Sequence, residues 1–250
     1  MARYVLEVMY DGTCFHGSQI QGDTPTVQLA INKALTTLLR NPIITMGASR
    51  TDEGVHALCN YYHFDLESEW AFDLKYKCNA ILPDGVAVKR VLVAKYSEFN
   101  SRFDAIRRQY RYRVYNKKNP FLVNRALLYP FPLDRAILDE AAATIMGYEQ
   151  FESFAKRNGQ TKTYNCKIYQ SRWEEAGEEL HYIVEANRFL RGMVRGLVAT
   201  QIHFARGKEP IANLKQIIDA RDCTKAYFNV PGHGLYLENI IYPEGIFEEI

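Results

Sequence analysis

The chain has 250 residues, 47% hydrophobic and 24% charged, with a formal net charge of only +2. That balance is enough for a sizeable core and excludes a disordered chain or a small stapled scaffold. No apolar run reaches the roughly 18 residues of a membrane span, and "MARYVLEVMYDG" lacks the basic start and apolar stretch of a signal peptide, so a cytoplasmic protein is expected.

In chain order, "RYVLEVMYD" alternates as a strand does, and the turn-rich "GTCFHGSQIQGDTP" follows it. Val27, Ala30, Ile31, Ala34, Leu35 and Leu38 recur at helical spacing, with Thr24 and Pro25 as the expected N-cap and first-turn residues and Pro42 past the end. "IITMGA" reads as a buried strand and "LCNYYHFDL" as another, separated by the polar loop "GASRTDEGVHA". "FDLKYKCNAIL" predicts a short helix and "GVAVKRVLVAKYSEF" a strand with a polar exit.

Past residue 100 the charge changes. Seven Lys/Arg stand against one Asp between Arg102 and Lys118, with Tyr110, Tyr112 and Tyr115 interleaved. "LDRAILDEAAATIMG" has helical periodicity, "TYNCKIYQSRWEE" and "ELHYIVEA" read as a hairpin across Ala176 and Gly177, and a long helix is expected from Arg188 to about Ala205. "GLYLENIIYP" closes the chain as a strand. The expected class is α+β: two joined αβ halves, residues 1–100 and 101–250, with mixed, mainly antiparallel sheets, helices on one face and a basic cleft between the halves.

Three features could carry chemistry. Arg188, Arg191 and Arg195 fall on one face of the expected helix, in a stretch from Asn187 to Lys208 without an acidic residue; a wet basic face has the same pattern. Tyr110 and Tyr112 alternate with arginines in a strand, a pattern suited to stacking a base beside an anionic backbone, though tyrosine is common in strands in any case. Asp52 lies two residues after Arg50, whose cation favours the ionised carboxylate, yet "TDEG" also suits an ordinary turn. The five cysteines are scattered and without a CxxC pair, so reduced thiols are expected. His56, Cys59 and His63 have a metal-like spacing, but strand parity sets His56 apart from the other two, so no metal is expected.

Taken together, "YDGTCFHGSQIQGDTPTVQ", "SRTDEGVHA" with "HFD", "RFDAIRRQYRYRV", "ANRFLRGMVRGLV" and "GLYL" resemble the TruA class of tRNA pseudouridine synthases, from Tyr10 to Leu237. The resemblance implies the pseudouridine synthase fold and a cofactor-free isomerase that converts uridine to pseudouridine at positions 38 to 40 of the tRNA anticodon stem-loop. It implies Asp52 as the nucleophile, Tyr110 against the target base and Arg195 paired with the aspartate. Arg50, Arg191 and Leu235 join them as substrate-binding residues, and a homodimer holds one tRNA. Asp52 either adds to C1′ or abstracts the 2′ proton, and both routes need the base out of its stack.

The chain departs from the family pattern at Ala48, Ser49 and Glu53 around the aspartate, at Asn60, and at Arg191 and Gly192 where relatives carry histidines. Those changes bear on RNA contacts. A rival reading is a non-catalytic RNA-binding protein in which Asp52 only forms a turn. A glycosidic-bond hydrolase needs a second carboxylate across the site, and adjacent Glu53 diverges from Asp52.

Overall fold

The computed structural model describes residues 2–67, 70–156 and 163–250. In chain order the elements are β1 (Ala2–Tyr10), α1 (Val27–Leu39), β2 (Met46–Gly47), β3 (His56–Leu66), α2 (Leu74–Ile81), β4 (Val86–Ala94), β5 (Arg107–Tyr115), β6 (Leu127–Leu128), α3 (Arg135–Met146), β7 (Ile168–Ala176), β8 (Glu179–Ala186), α4 (Met193–Ala205), α5 (Asn213–Asp219), β9 (Leu235–Ile241) and β10 (Phe247–Glu249). They form two compact units, one of residues 1–106 with 236–250 and one of residues 107–235. Both units mix helices with mainly antiparallel strands, an α+β architecture.

In the first unit the strands run β10, β4, β1, β3, β9, and β2 pairs with β3. All these pairings are antiparallel except the short parallel contact of His56 with Tyr236 and Ala57 with Leu237. Val5, Leu6, Glu7 and Val8 are consecutive buried residues of β1, so this strand is covered on both faces. The buried Glu7 carboxylate is matched by Lys89 at 2.8 Å and by Arg90 on the neighbouring strand.

Two helices of this unit begin where a side chain caps them. The Thr26 hydroxyl accepts from Leu29 N at the start of α1, so the cap is Thr26 and not the expected Thr24 and Pro25. Asp73 does the same for α2 through Tyr76 N. The expected strand "IITMGA" shrinks to Met46–Gly47, and Ile44 is 82% exposed. The reason is local: side chains of α1 tie this segment down, Asn32 Oδ1 accepting from Thr45 N at 3.0 Å and Gln28 Nε2 donating to Thr45 O at 2.5 Å.

In the second unit the order is β5, β8, β7, with β6 parallel to β5. β7 and β8 make the expected hairpin, but Ala176 already pairs with Glu179, so the loop is Gly177–Glu178. Trp173 and Tyr182 sit opposite each other and pack 5.1 Å apart, and the Trp173 indole donates to Gln201 of α4 at 2.9 Å. This face therefore carries helix α4. Asp134 caps α3 through Ala136 N and Ile137 N.

The helix expected from Arg188 starts only at Met193. Gly192 precedes it with φ of 75°, a left-handed conformation that a side chain strains. Arg188 and Arg191 thus lie on the segment before α4 and do not share a helix face with Arg195.

Candidate active site

The loop that carries Asp52 is built from buried polar contacts of the first unit. Ala48 N donates to Tyr61 O at 2.8 Å. Asn60, fully buried in β3, receives Ser49 N on Oδ1 at 3.3 Å and donates from Nδ2 to Ser49 O at 3.0 Å and to the Tyr10 hydroxyl at 3.2 Å. The Tyr10 hydroxyl in turn lies 2.8 Å from Thr51 Oγ1. Thr51 is also held through its backbone: its N–H donates to Ser18 Oγ at 2.8 Å, and its carbonyl accepts from Ser18 N at 3.0 Å. Each buried polar atom so satisfied avoids a desolvation penalty, and together they hold the backbone one residue before Asp52.

Beyond Asp52 the chain turns, Val55 N donating to Asp52 O at 3.2 Å. Gly12 lies against this turn so closely that a Cβ there would sit 2.2 Å from Val55 O. Asp52 is half-buried, Arg50 is exposed, and Glu53 turns outward to within 3.4 Å of the exposed His16 ring. The extra carboxylate next to Asp52 therefore faces away from the buried clamp.

The three residues with metal-like spacing have separate partners. His56 stacks on Tyr236 with centroids 4.5 Å apart, its Nδ1 3.1 Å from Asp11 Oδ1. His63 Nδ1 lies 2.9 Å from Ser101 Oγ, and burial, helped by Arg3, pushes its pKa down. Burial raises the Cys59 thiol to about 11.

In the second unit, Tyr110 and Tyr112 are not set in an open groove. Tyr110 is 8% exposed, its ring edge-on to Phe189 at 5.1 Å, and Tyr112 is wholly buried with its hydroxyl donating to Pro231 O at 2.9 Å. Burial drives the Tyr112 phenol well above its ordinary range. Two of the interleaved arginines also have carboxylate partners: Arg107 meets Glu185 at 3.0 Å and Arg113 grips Glu179 through two bonds of 2.7 Å.

Arg195, in the first turn of α4, donates from Nε and Nη2 to Val230 O at 2.9 and 2.7 Å. Arg191 is exposed, and its carbonyl accepts from Lys156 N at 3.0 Å. Leu235 is buried at the start of β9. The sequence reading missed the clamp of Tyr10, Ser18, Thr51 and Asn60. The signal for it was there in Asn60, an amide in a strand between Cys59 and Tyr61.

A family model described as tRNA pseudouridine synthase matches residues 141–243. The chain is 41% identical over 252 residues to the tRNA pseudouridine synthase A of Parabacteroides distasonis, covering 99% of this chain and 98% of that protein. It is 36% identical to the protein of the same name from Porphyromonas gingivalis, over 99% of this chain and 100% of the relative. A more distant one, from Staphylococcus aureus, is 32% identical over 97% of this chain and 92% of its own length. Such likeness covers nearly the whole chain, and the chain belongs to the tRNA pseudouridine synthase A family.

Proposed function

We propose that this chain is an isomerase that converts uridine to pseudouridine in tRNA, acting in the cytoplasm on positions 38 to 40 of the anticodon stem-loop, as a homodimer. The observation that carries the chemistry is the clamp on Thr51. It holds the Asp52 backbone from one side by buried hydrogen bonds, and the turn to Val55 holds it from the other. A loop backbone fixed in this way presents Asp52 without spending substrate binding energy on ordering the loop.

The reaction breaks the bond from C1′ to N1 and forms one from C1′ to C5. N1 gains a proton and C5 loses one, so the product is an isomer and no external reactant is consumed. Asp52 is the nucleophile in this reading, by addition to C1′ or through the 2′ proton. Tyr110 contacts the target base, and its edge-on packing against Phe189 supports a fixed ring position. The family resemblance makes Arg195 the partner of the aspartate, and its side chain is steadied by Val230 O. Arg50, Arg191 and Leu235 contact the RNA around the target.

The test is tritium release from unmodified tRNA transcripts carrying [5-³H]uridine. The parent protein releases tritium, and Asp52→Asn binds the same tRNA and releases none. Turnover by Asp52→Asn would remove Asp52 from its role, and absence of turnover by the parent would remove the activity. Mapping the product in the transcript checks positions 38 to 40, and equilibrium sedimentation checks the dimer.

A further inference from the structure

One cluster of the second unit, around Tyr169, lies outside the roles assigned above. β7 pairs with β8 through Ile168 to Ala186 and Gln170 to Glu185, which leaves Tyr169 as the extra residue of a bulge. In an unbroken strand Tyr169 would point with Ser171 and Trp173 toward the face that carries α4. A bulge re-aims the side chain it inserts, and here the Tyr169 ring meets the Arg107 guanidinium, 4.3 Å from the ring centroid, with Lys167 Nζ at 5.7 Å. Two cations thus lie near one aromatic ring, within the range of cation–π attraction.

The same end of the strands is pinned to the segment before α4. Lys167 N donates to Asn187 Oδ1 at 2.8 Å, Asn187 N to Lys167 O at 3.1 Å, and Arg108 Nη1 to Asn187 O at 3.0 Å. From Asn187 the chain leads directly to Arg188, Phe189 and Arg191. Like charges brought together by backbone hydrogen bonds repel unless an anion joins them. Glu185 offsets part of this through Arg107, but that side chain stays 45% exposed, and a planar group with five N–H donors keeps some for another acceptor.

The geometry points to Arg107, Tyr169 and Lys167 as a second RNA-contact site, which holds a backbone phosphate of the bound tRNA while the Tyr169 ring packs against the two cations. This rests on the reading of the chain as a tRNA-modifying enzyme and adds a place where affinity is generated without chemistry. Arg107 and Lys167 supply charge-assisted hydrogen bonds to the phosphate oxygens. The bulge brings the ring within reach of both.

The test compares Lys167→Gln, Tyr169→Ala and Glu185→Gln with the parent, measuring binding of an unmodified tRNA transcript at several salt concentrations and single-turnover tritium release at saturating enzyme. Lys167→Gln is expected to weaken binding by about three- to tenfold and to lower the salt slope by about one. Tyr169→Ala weakens binding similarly, while Glu185→Gln, which releases Arg107 from its carboxylate, tightens it. The single-turnover rate at saturation stays at the parental value in all three. Unchanged affinity and slope in Lys167→Gln and Tyr169→Ala would overturn the site, whatever other partner the cluster serves. A parent that binds tRNA but releases no tritium would instead count against the proposed activity and leave the binding measurements to decide the site.

Discussion

The hydroxyls of Tyr10 and Thr51 meet at 2.8 Å inside the first unit, one residue from Asp52. Tyr10 belongs to β1 and Thr51 to the loop before β3, so a strand hydroxyl sets the height of the loop. The pair is joined by Asn60, whose amide nitrogen reaches the same Tyr10 oxygen.

Removal of one member should therefore act on both stability and turnover. Tyr10→Phe leaves Thr51 Oγ1 and Asn60 Nδ2 without that partner in a buried site, and a stability loss of about 1–3 kcal/mol is expected. The turnover rate falls with it, while tRNA affinity stays near the parental value. Urea denaturation and single-turnover tritium release check the two effects; a variant with full rate and lower stability would show that the clamp serves folding alone.

Gly12→Ala tests the same loop by crowding. An added Cβ would lie 2.2 Å from Val55 O, far inside contact distance, so the turn after Asp52 must move. Displacement of a reacting group by about 1 Å can cost about 100-fold in rate, and a loss of that order is expected in kcat. Circular dichroism and tritium release together separate a shifted loop from an unfolded chain.

Arg195→Lys examines the grip on Val230. The guanidinium reaches one carbonyl through Nε and Nη2, and an ammonium cannot reproduce that two-point contact. We expect kcat/KM to fall by at least about tenfold, the change on the order of 1.4 kcal/mol in transition-state stabilisation. Equal kinetics for the lysine variant would make positive charge the only requirement at this position.

The pH dependence of stability follows from buried histidines. His63 and His181 are held below the ordinary value of 6.5, first by burial, then by Arg3 for His63 and by Arg111 and Arg113 for His181, whose Glu179 neighbour opposes the shift. The unfolded chain takes up these protons near pH 6.5, and the folded one only at lower pH. Stability should thus decline as pH falls below about 6.5.

A second decline begins below about 4.5. Burial pushes the Glu7 and Glu179 carboxyls up, but Lys89 and Arg90 outweigh it at Glu7, and Arg113 with His181 outweighs it at Glu179, so both end below 4.5. Denaturant midpoints at pH 8, 6 and 4 check the sequence of losses. A profile flat from pH 7.5 to 5.5 would contradict the histidine contribution, and His181→Gln should flatten part of it.

Helices α1, α2 and α3 were legible from their residue patterns, but their caps were not: α1 begins at Thr26 and not at the expected Thr24, and Asp73 and Asp134 were not read as caps. β4 and the β7–β8 hairpin were legible from alternation. The segment around Ile44 was not, because its apolar run resembles a strand while the contacts that shape it come from Gln28 and Asn32, distant side chains on α1. The start of α4 was misplaced for a backbone reason: the helical spacing of Arg188, Arg191 and Arg195 continues through Gly192, whose left-handed conformation interrupts the helix.

The candidate site was legible as a set of motifs and much less so as an environment. By residue type and spacing alone, Asp52 suits a turn as well as a site and Arg195 suits a wet basic face; the family resemblance is what singles them out. Nothing local says that Tyr112 is buried against Pro231 O or that Arg113 is committed to Glu179, since these partners lie far along the chain. The bulge at Tyr169 is likewise invisible to alternation, which assigns that ring to the wrong face.

The nesting of one unit within the sequence of the other has a consequence for assembly. The residues that flank the Asp52 loop on β9, Tyr236 and Leu237, are separated from His56 and Ala57 by the whole of residues 107–235. Closing so long a segment adds little equilibrium cost, since each doubling of its length is worth about 0.6 kcal/mol, but contacts of high sequence separation form slowly. During refolding the His56–Tyr236 stack is therefore among the last contacts to close, and competence for chemistry should lag behind the recovery of secondary structure.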